Sequence, residues 1–370
     1  MMIDNFDLRQ LVKPLQTWFK GSARVLPWRE NPRGYYVWIS EIMLQQTRVE
    51  AVKPYFDRFI KELPDVKSLA ECPEDKLLKL WEGLGYYNRV RNLKIAANQI
   101  MEEYDGVIPS DYEDLLKLKG IGNYTAGAIA SIAYGKAVPA VDGNVLRVIS
   151  RVTADDSDIM KQSVRTHMEE RLYEVMNGVH DVDPSIFNQA LMELGATVCL
   201  PNGMPRCEVC PWVDICEAKK QDRIMELPVK KKAKARRIEE RTVLIIKDGE
   251  KLALHKRPAK GLLAGLYELP NIDGYLSEQE VLEYVKGKGY EPVRIQPSCE
   301  AKHIFSHVEW HMKGYVIFLQ SMDYSSKKKQ EDWIFVDVEE TKELYAIPSA
   351  FVKYTEYLNF VIGKDVFEKE

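Results

Sequence analysis

The chain has 370 residues, 45% of them apolar, and a formal net charge of -4. That is more than one compact core accommodates, so two or three domains are expected; the slight acidity weighs against a nucleic-acid partner without excluding one, because phosphate is bound by local basic clusters. No run approaches the roughly 20 apolar residues that cross a bilayer, and the opening MMIDNFDLRQ lacks the basic-then-apolar pattern of a targeting signal, so no membrane partner and a cytoplasmic location are expected.

From about residue 4 to 217 apolar residues recur at three and four spacing, broken by Gly and Pro, which predicts an all-α region. Within it, LLKLKGIGNYTAGAIASIA (115–133) is a helix end, Gly-Ile-Gly, and a second helix rich in Ala and Gly. Gly120 and Gly122 carry no side chain, so the backbone and the following helix N-terminus can approach a phosphate oxygen; an ordinary helical turn reads the same way. In AVPAVDGNVLRVISR, Asp142 stands in a turn just ahead of a helix, where it serves as N-cap and is also placed to stabilise a cation.

Four of the six cysteines then fall in VCLPNGMPRCEVCPWVDIC, spaced Cys199-x7-Cys207-x2-Cys210-x5-Cys216. In a reducing compartment clustered thiols hold metal rather than disulfides. Zinc ribbons pair two short hooks and this run has one, so a compact 4Fe-4S cluster is the first reading and zinc the alternative. Residues 218–238, rich in Lys and Arg, read as a basic linker. Beyond it the period becomes two. TVLIIKDGEKLALHKR predicts a β-hairpin turning at Asp248-Gly249, HVEWHMKGYVIFLQ and WIFVDV predict strands, and EQEVLEYVKGKG and SAFVKYTEYLNFVI predict helices. An α+β domain over 239–370 is expected.

Taken together, LKGIGNYTAGAI, AVDGNVLRV and the cysteine run resemble the helix-hairpin-helix DNA glycosylases of the endonuclease III superfamily, and LPWR, VWISEIMLQQTRVE and LWEGLGYYNRVRNL narrow the resemblance to the MutY-type adenine DNA glycosylases. It runs from about residue 20 to 217. It implies a two-lobed all-α fold over 1–217 with an iron-sulfur module, a double-stranded DNA partner and a monomer. Glu41 matches the family's general acid, which protonates the departing adenine; a carboxyl whose pKa is raised by burial can do this near neutral pH. Asp142 matches the carboxylate that stabilises the sugar cation, with Tyr124 and Asn144 beside it. Where strand-cutting relatives carry a Schiff-base lysine, this chain has Tyr124, so the reaction is expected to stop at an abasic site. Gln46 and Tyr86 would enter the base stack, Thr47 would lie near the opposing purine, and Arg24, Trp28, Arg29 and Gln189 would line the adenine pocket. The family usually has six residues in the first cysteine gap, and the extra one here falls in the loop LPNGMPR.

The tail from about 239 to 365 is similar to the Nudix-like C-terminal domain of the same family, which helps to recognise 8-oxoguanine. No Glu-rich Nudix hydrolase signature is visible, so recognition rather than magnesium-dependent hydrolysis is expected of it. HIFSHVEWH holds three of the six histidines. In one regular strand His303, His307 and His311 would share a face, but residues four apart lie roughly 13 Å from one another, too far to share an ion. The resemblance nominates Phe305, Ser306 and His307, as a loop or strand end, to touch the oxidised guanine, with Ser306 as its hydrogen-bonding partner. The expectation is a monofunctional glycosylase removing adenine opposite 8-oxoguanine or guanine. The rivals are a strand-cutting glycosylase for oxidised pyrimidines and a non-catalytic damage-binding protein.

Overall fold

The structure, a computed structural model, describes residues 1–231, 235–322, 332–356, 358 and 362. They fall into two compact units, Met1–Glu71 with Arg91–Ala233, and Cys72–Val90 with Lys234–Glu370. Residues 72–90, expected to belong with the helical domain, therefore pack with the C-terminal residues. No helix among the described residues is long and apolar enough to cross a membrane.

The first unit is all helical. Leu11, Leu15 and Phe19 near the N-terminus pack with Val145, Leu146 and Ile149 of the helix Gly143–Val152 and with Leu191 and Leu194 of Pro184–Thr197. The helix Gly34–Leu44 has no polar stripe, and Tyr35, Val37, Trp38, Ile39, Ile42 and Met43 are all buried. A helix apolar all round lies inside the unit, which is why Glu41, its one acidic residue, sits in a dry place. The predicted hairpin is present. The helix Tyr112–Lys117 is capped by Asp111, and the turn passes through Gly120 at φ +79°. The helix Asn123–Ala128 follows and widens into a π-turn over Ile129–Ala133. A Cβ at Gly120 would stand 2.7 Å from Cβ of Asn92, so both the dihedral and the space favour glycine there.

The basic segment after the cysteines is not wholly a solvated connector. Ala218 and Leu227 are buried against Ala154, and Arg151 Nε donates to the Leu227 carbonyl at 2.9 Å. Two apolar side chains among the lysines suffice to tie its first half down.

In the second unit a mixed sheet carries seven strands among the described residues: β1 (Arg237–Asp248), β2 (Lys251–Lys256), β3 (Tyr267–Glu268), β4 (Asn271–Asp273), β5 (Pro292–Ile304), β6 (Val308–Leu319) and β7 (Ile334–Asp337). The order is β3-β2-β1-β6-β5, with β4 on β1 and β7 on β2; β1 and β6 run parallel and the other pairs antiparallel. Both faces are covered. Val243 and Ile245 of β1 face Phe351 and Tyr354, while Leu244 and Ile246 face Val281 and Val285 of the helix Glu278–Gly287. Burial on both sides explains the unbroken apolar run VLII.

Three local expectations change. The β1–β2 turn is Gly249-Glu250 rather than Asp248-Gly249: Asp248 pairs with Lys251 and its carboxylate accepts from the Met322 amide, leaving Gly249 to supply the positive φ of 58°. HIFSHVEWH is not one strand. It is the end of β5, a turn at Phe305–His307 and the start of β6, with His303 opposite Trp310 and Lys302 opposite His311. SAFVKYTEYLNFVI forms a 3-10 turn at Ser349–Phe351 and a helix at Val352–Glu356, and residues 357 and 359–361 lie outside those described.

Candidate active site

A cleft of about 1050 Å3 opens in the first unit. Glu41, Tyr124, Asp142 and Asn144 all line it, although they lie up to 103 positions apart in the chain. The helix Gly34–Leu44 presents Glu41 from one side, 5% exposed. Asp142 caps the helix Gly143–Val152 from another, accepting at Oδ1 from the backbone amides of Asn144 (2.9 Å) and Val145 (2.8 Å). Asn144 Nδ2 donates to Asp142 Oδ2 at 2.6 Å. The Tyr124 hydroxyl donates to Glu41 Oε2 and lies 3.6 Å from Met192 Sδ.

These surroundings treat the two carboxyls differently. Burial pushes Glu41 up to about 7, against a pull downward from the Tyr124 hydrogen bond, with the Asp142 charge adding to the rise. Burial raises Asp142 also, and its hydrogen bonds from Val145 and Asn144 and the Arg147 charge draw it back. When two carboxyls share a site, the one with more donors ionises first and holds the proton on the other. The donors around Asp142 therefore favour the charge on Asp142 and the proton on Glu41, whose carboxyl is pushed up to about 7. Tyr124 stays neutral, because burial and the neighbouring charges of Glu41 and Asp142 lift it well above its ordinary value.

The wall beside them is organised by a residue that sequence reasoning missed. Glu193, 1% exposed, accepts from Arg24 Nε at 2.6 Å and Arg24 Nη2 at 3.0 Å, and from Arg29 Nη2 at 2.9 Å. Burial raises its carboxyl, and the two guanidinium groups more than offset this, holding it below the usual range. The nominated Arg24 and Arg29 are thus clamped side by side. In sequence Glu193 is one acid in an apolar helix, MELGA, and that burial pattern was the available signal. Trp28 is buried with its ring edge-on to Phe56 at 5.3 Å, and Gln189 Nε2 donates to Ser185 Oγ at 3.1 Å; both line the cleft. Gln46, exposed at φ +59°, and Thr47 stand at its rim after the helix ends.

The other nominated residues lie elsewhere. Gly120 and Gly122 form the hairpin, with Gly122 the N-cap of Asn123–Ala128. Tyr86 and Phe305–His307 belong to the second unit, where the Tyr86 hydroxyl lies 3.4 Å from Ser306 Oγ. Ser306 and His307 are exposed at the β5–β6 turn, and Phe305 packs edge-on to Trp310 at 4.9 Å.

The cysteines follow the helix that carries Glu193. Cys207, Cys210 and Cys216 are all pushed up by burial and by neighbouring Cys199, Cys210 to about 12, so the four thiols feel one another. None is in a disulfide. Arg151 Nη1 donates to Cys199 Sγ at 3.4 Å, and backbone N–H groups of Trp212 and of Ala218 and Lys219 point at Cys210 and Cys216. Buried thiols met by N–H donors are poised to be ionised by a bound metal centre. Four thiols with these N–H donors are a set chemically suited to hold a metal centre. Arg147 joins this region to the cleft, donating to the Cys199 carbonyl (2.9 Å), the Gly195 carbonyl (2.8 Å) and Asn144 Oδ1 (2.8 Å).

Residues 39–174 match the HhH-GPD superfamily base excision DNA repair protein family, and residues 241–357 match the NUDIX domain family. A cleft that favours the proton on one carboxyl and the charge on the other suits the breaking of a glycosidic bond, and the chain is a DNA N-glycosylase. It is 32% identical to the adenine DNA glycosylase of Mus musculus over 90% of this chain and 75% of that protein. The adenine DNA glycosylase of Buchnera aphidicola subsp. Baizongia pistaciae is 30% identical over 85% and 88%. A thermostable thymine-DNA glycosylase of known structure overlays on 58% of this chain and 97% of its own, at 28% identity and a TM-score of 0.50. The chain belongs to the adenine DNA glycosylase family of base excision repair.

Proposed function

We propose that the enzyme removes adenine opposite 8-oxoguanine, and more slowly opposite guanine, from double-stranded DNA, leaving an abasic site without cutting the strand. The observation that carries this is the pairing of dry Glu41 with amide-capped Asp142 in one cleft. Adenine leaves poorly as an anion. Glu41 gives its proton to the departing base as the bond to C1′ breaks, and the Asp142 carboxylate stabilises the resulting sugar cation. Water then adds to C1′ and returns a proton to Glu41. Tyr124 has no amine to form a Schiff base, and its elevated pKa keeps it a hydrogen-bond donor.

Arg24, Trp28, Arg29 and Gln189 hold the extruded adenine, Gln46 and Tyr86 fill the vacated stack, and Thr47 lies near the opposing purine. Gly120 and Gly122 let backbone amides meet a phosphate. Ser306, flanked by Phe305 and His307 on an exposed turn, hydrogen-bonds 8-oxoguanine. Cys199, Cys207, Cys210 and Cys216 hold a 4Fe-4S cluster, which when bound cross-links the loop that ends the helical unit. The purified protein is expected to be brown, with iron and acid-labile sulfide in equal amounts; stoichiometric zinc in their place overturns the cluster assignment.

Single-turnover assays on duplexes with A opposite 8-oxoguanine, A opposite G, and an oxidised pyrimidine test the reading. Excision is expected in that order, none on the third, with strand breaks only after alkali. Breaks without alkali, or equal rates on the first two, overturn the corresponding part.

A further inference from the structure

We propose that the buried pair Lys79 and Glu82 is a latch that positions Tyr86 against the Ser306 turn, so that the residue filling the base stack and the residue reading the opposite base move as one rigid element. The inference rests on the 8-oxoguanine reading above. Glu82 is 4% exposed. Its carboxylate accepts from Lys79 Nζ at 2.7 Å and from the backbone amide of Ile347 at 2.7 Å. Lys79 Nζ donates further to the carbonyls of Thr341 (3.3 Å) and Tyr345 (3.2 Å). Two opposite charges three positions apart thus grip three backbone groups of residues 341–347. A pair of apolar side chains would stabilise such a contact as well or better. What charges bound to backbone groups add is register, because each hydrogen bond has a direction.

The grip is transmitted to Tyr86 through a stiff turn. Trp81, fully buried, donates from Nε1 to the Gly85 carbonyl at 3.1 Å. Arg89 donates to the Leu84 and Gly85 carbonyls at 3.0 and 3.1 Å, and its guanidinium lies over the rings of Trp81 and Tyr86 at 5.3 and 5.7 Å. Gly83, Gly85 and Tyr86 all have positive φ, 95°, 70° and 48°. A tyrosine persists in that region only where its surroundings over-determine it. Tyr86 nevertheless stays 49% exposed, with its hydroxyl 3.4 Å from Ser306 Oγ. Lys79 and Glu82 are positioning residues, and neither is among the residues that line the cleft.

The test uses the full chain carrying Glu82→Gln or Lys79→Met, with single-turnover excision of A opposite 8-oxoguanine and opposite G. The ratio of the two rates is expected to fall at least about tenfold while the rate opposite G stays within about threefold of the parent. A merely structural role lowers both rates together through the folded fraction, and an unchanged ratio overturns the latch. The double variant Lys79→Met with Glu82→Leu keeps the buried volume and removes the directed bonds; the same fall in ratio is expected of it, and a parental ratio overturns the proposal. Ser306→Ala separates the two readings. A collapsed ratio there with an intact ratio in the latch variants overturns the latch alone, and an intact ratio there overturns the 8-oxoguanine reading and the latch with it.

Discussion

Glu41→Gln is expected to abolish adenine excision and, at pH 8, to make the protein more stable. Gln keeps the shape and still accepts the Tyr124 hydrogen bond, but it has no proton to give, so the rate falls by the roughly 100- to 10,000-fold that a general acid supplies. The stability gain follows from the same burial. The Glu41 pKa rises from 4.5 to about 7 on folding. Below pH 4.5 the carboxyl is protonated in both states and costs nothing; as pH rises through about 7 the folded state carries the full penalty, about 3 kcal/mol at pH 8. Urea unfolding of parent and variant at pH 8 and pH 4.5 checks this, with the difference expected only at pH 8. An equal difference at both values would place Glu41 in an ordinary environment. The parent's excision rate is likewise expected to decline as pH rises through about 7.

Asp142→Asn is expected to separate the two roles of that residue. Asn is as good an N-cap as Asp, so the helix Gly143–Val152 keeps its start, and the stability cost is confined to the Asn144 Nδ2 bond that an amide nitrogen cannot accept, about 1 kcal/mol. The sugar cation loses its carboxylate, and excision falls by about 100- to 1,000-fold, as when one preorganised electrostatic partner is removed. Asp142→Ala adds the loss of the cap, about 1 kcal/mol. Because the Asp142 charge helps to raise Glu41, the residual activity of Asp142→Asn should decline at a lower pH than the parent's. Near-parental excision by Asp142→Asn would reduce the residue to a cap.

Much of the site was legible because its residues sit in short blocks whose local chemistry is self-explanatory. An Asp before a helix is a cap wherever it occurs, a Gly-Ile-Gly turn between helices is a hairpin, and four cysteines in eighteen positions have few uses. The resemblance then gave those blocks an order and assigned Glu41 a task that no periodicity could. Glu193 escaped notice because its meaning lies in partners 164 and 169 positions away. The loop at Phe305–His307 was legible only through the resemblance, because alternation continues across it and the reversal itself lies in the pairing of β5 with β6.

Sequence alone established the two kinds of domain, the hairpin, the capping carboxylate and the cysteine array, all of which depend on residues within a turn or two of one another. Tertiary structure decided that the helix around Glu41 is buried on every side, so that its carboxyl keeps a proton near neutrality. It also decided that residues 72–90 pack with the C-terminal residues, bringing Tyr86 to Ser306 across 220 positions. Desolvation and the pairing of buried charges are properties of what surrounds a residue in space, and neighbours in the chain do not report them.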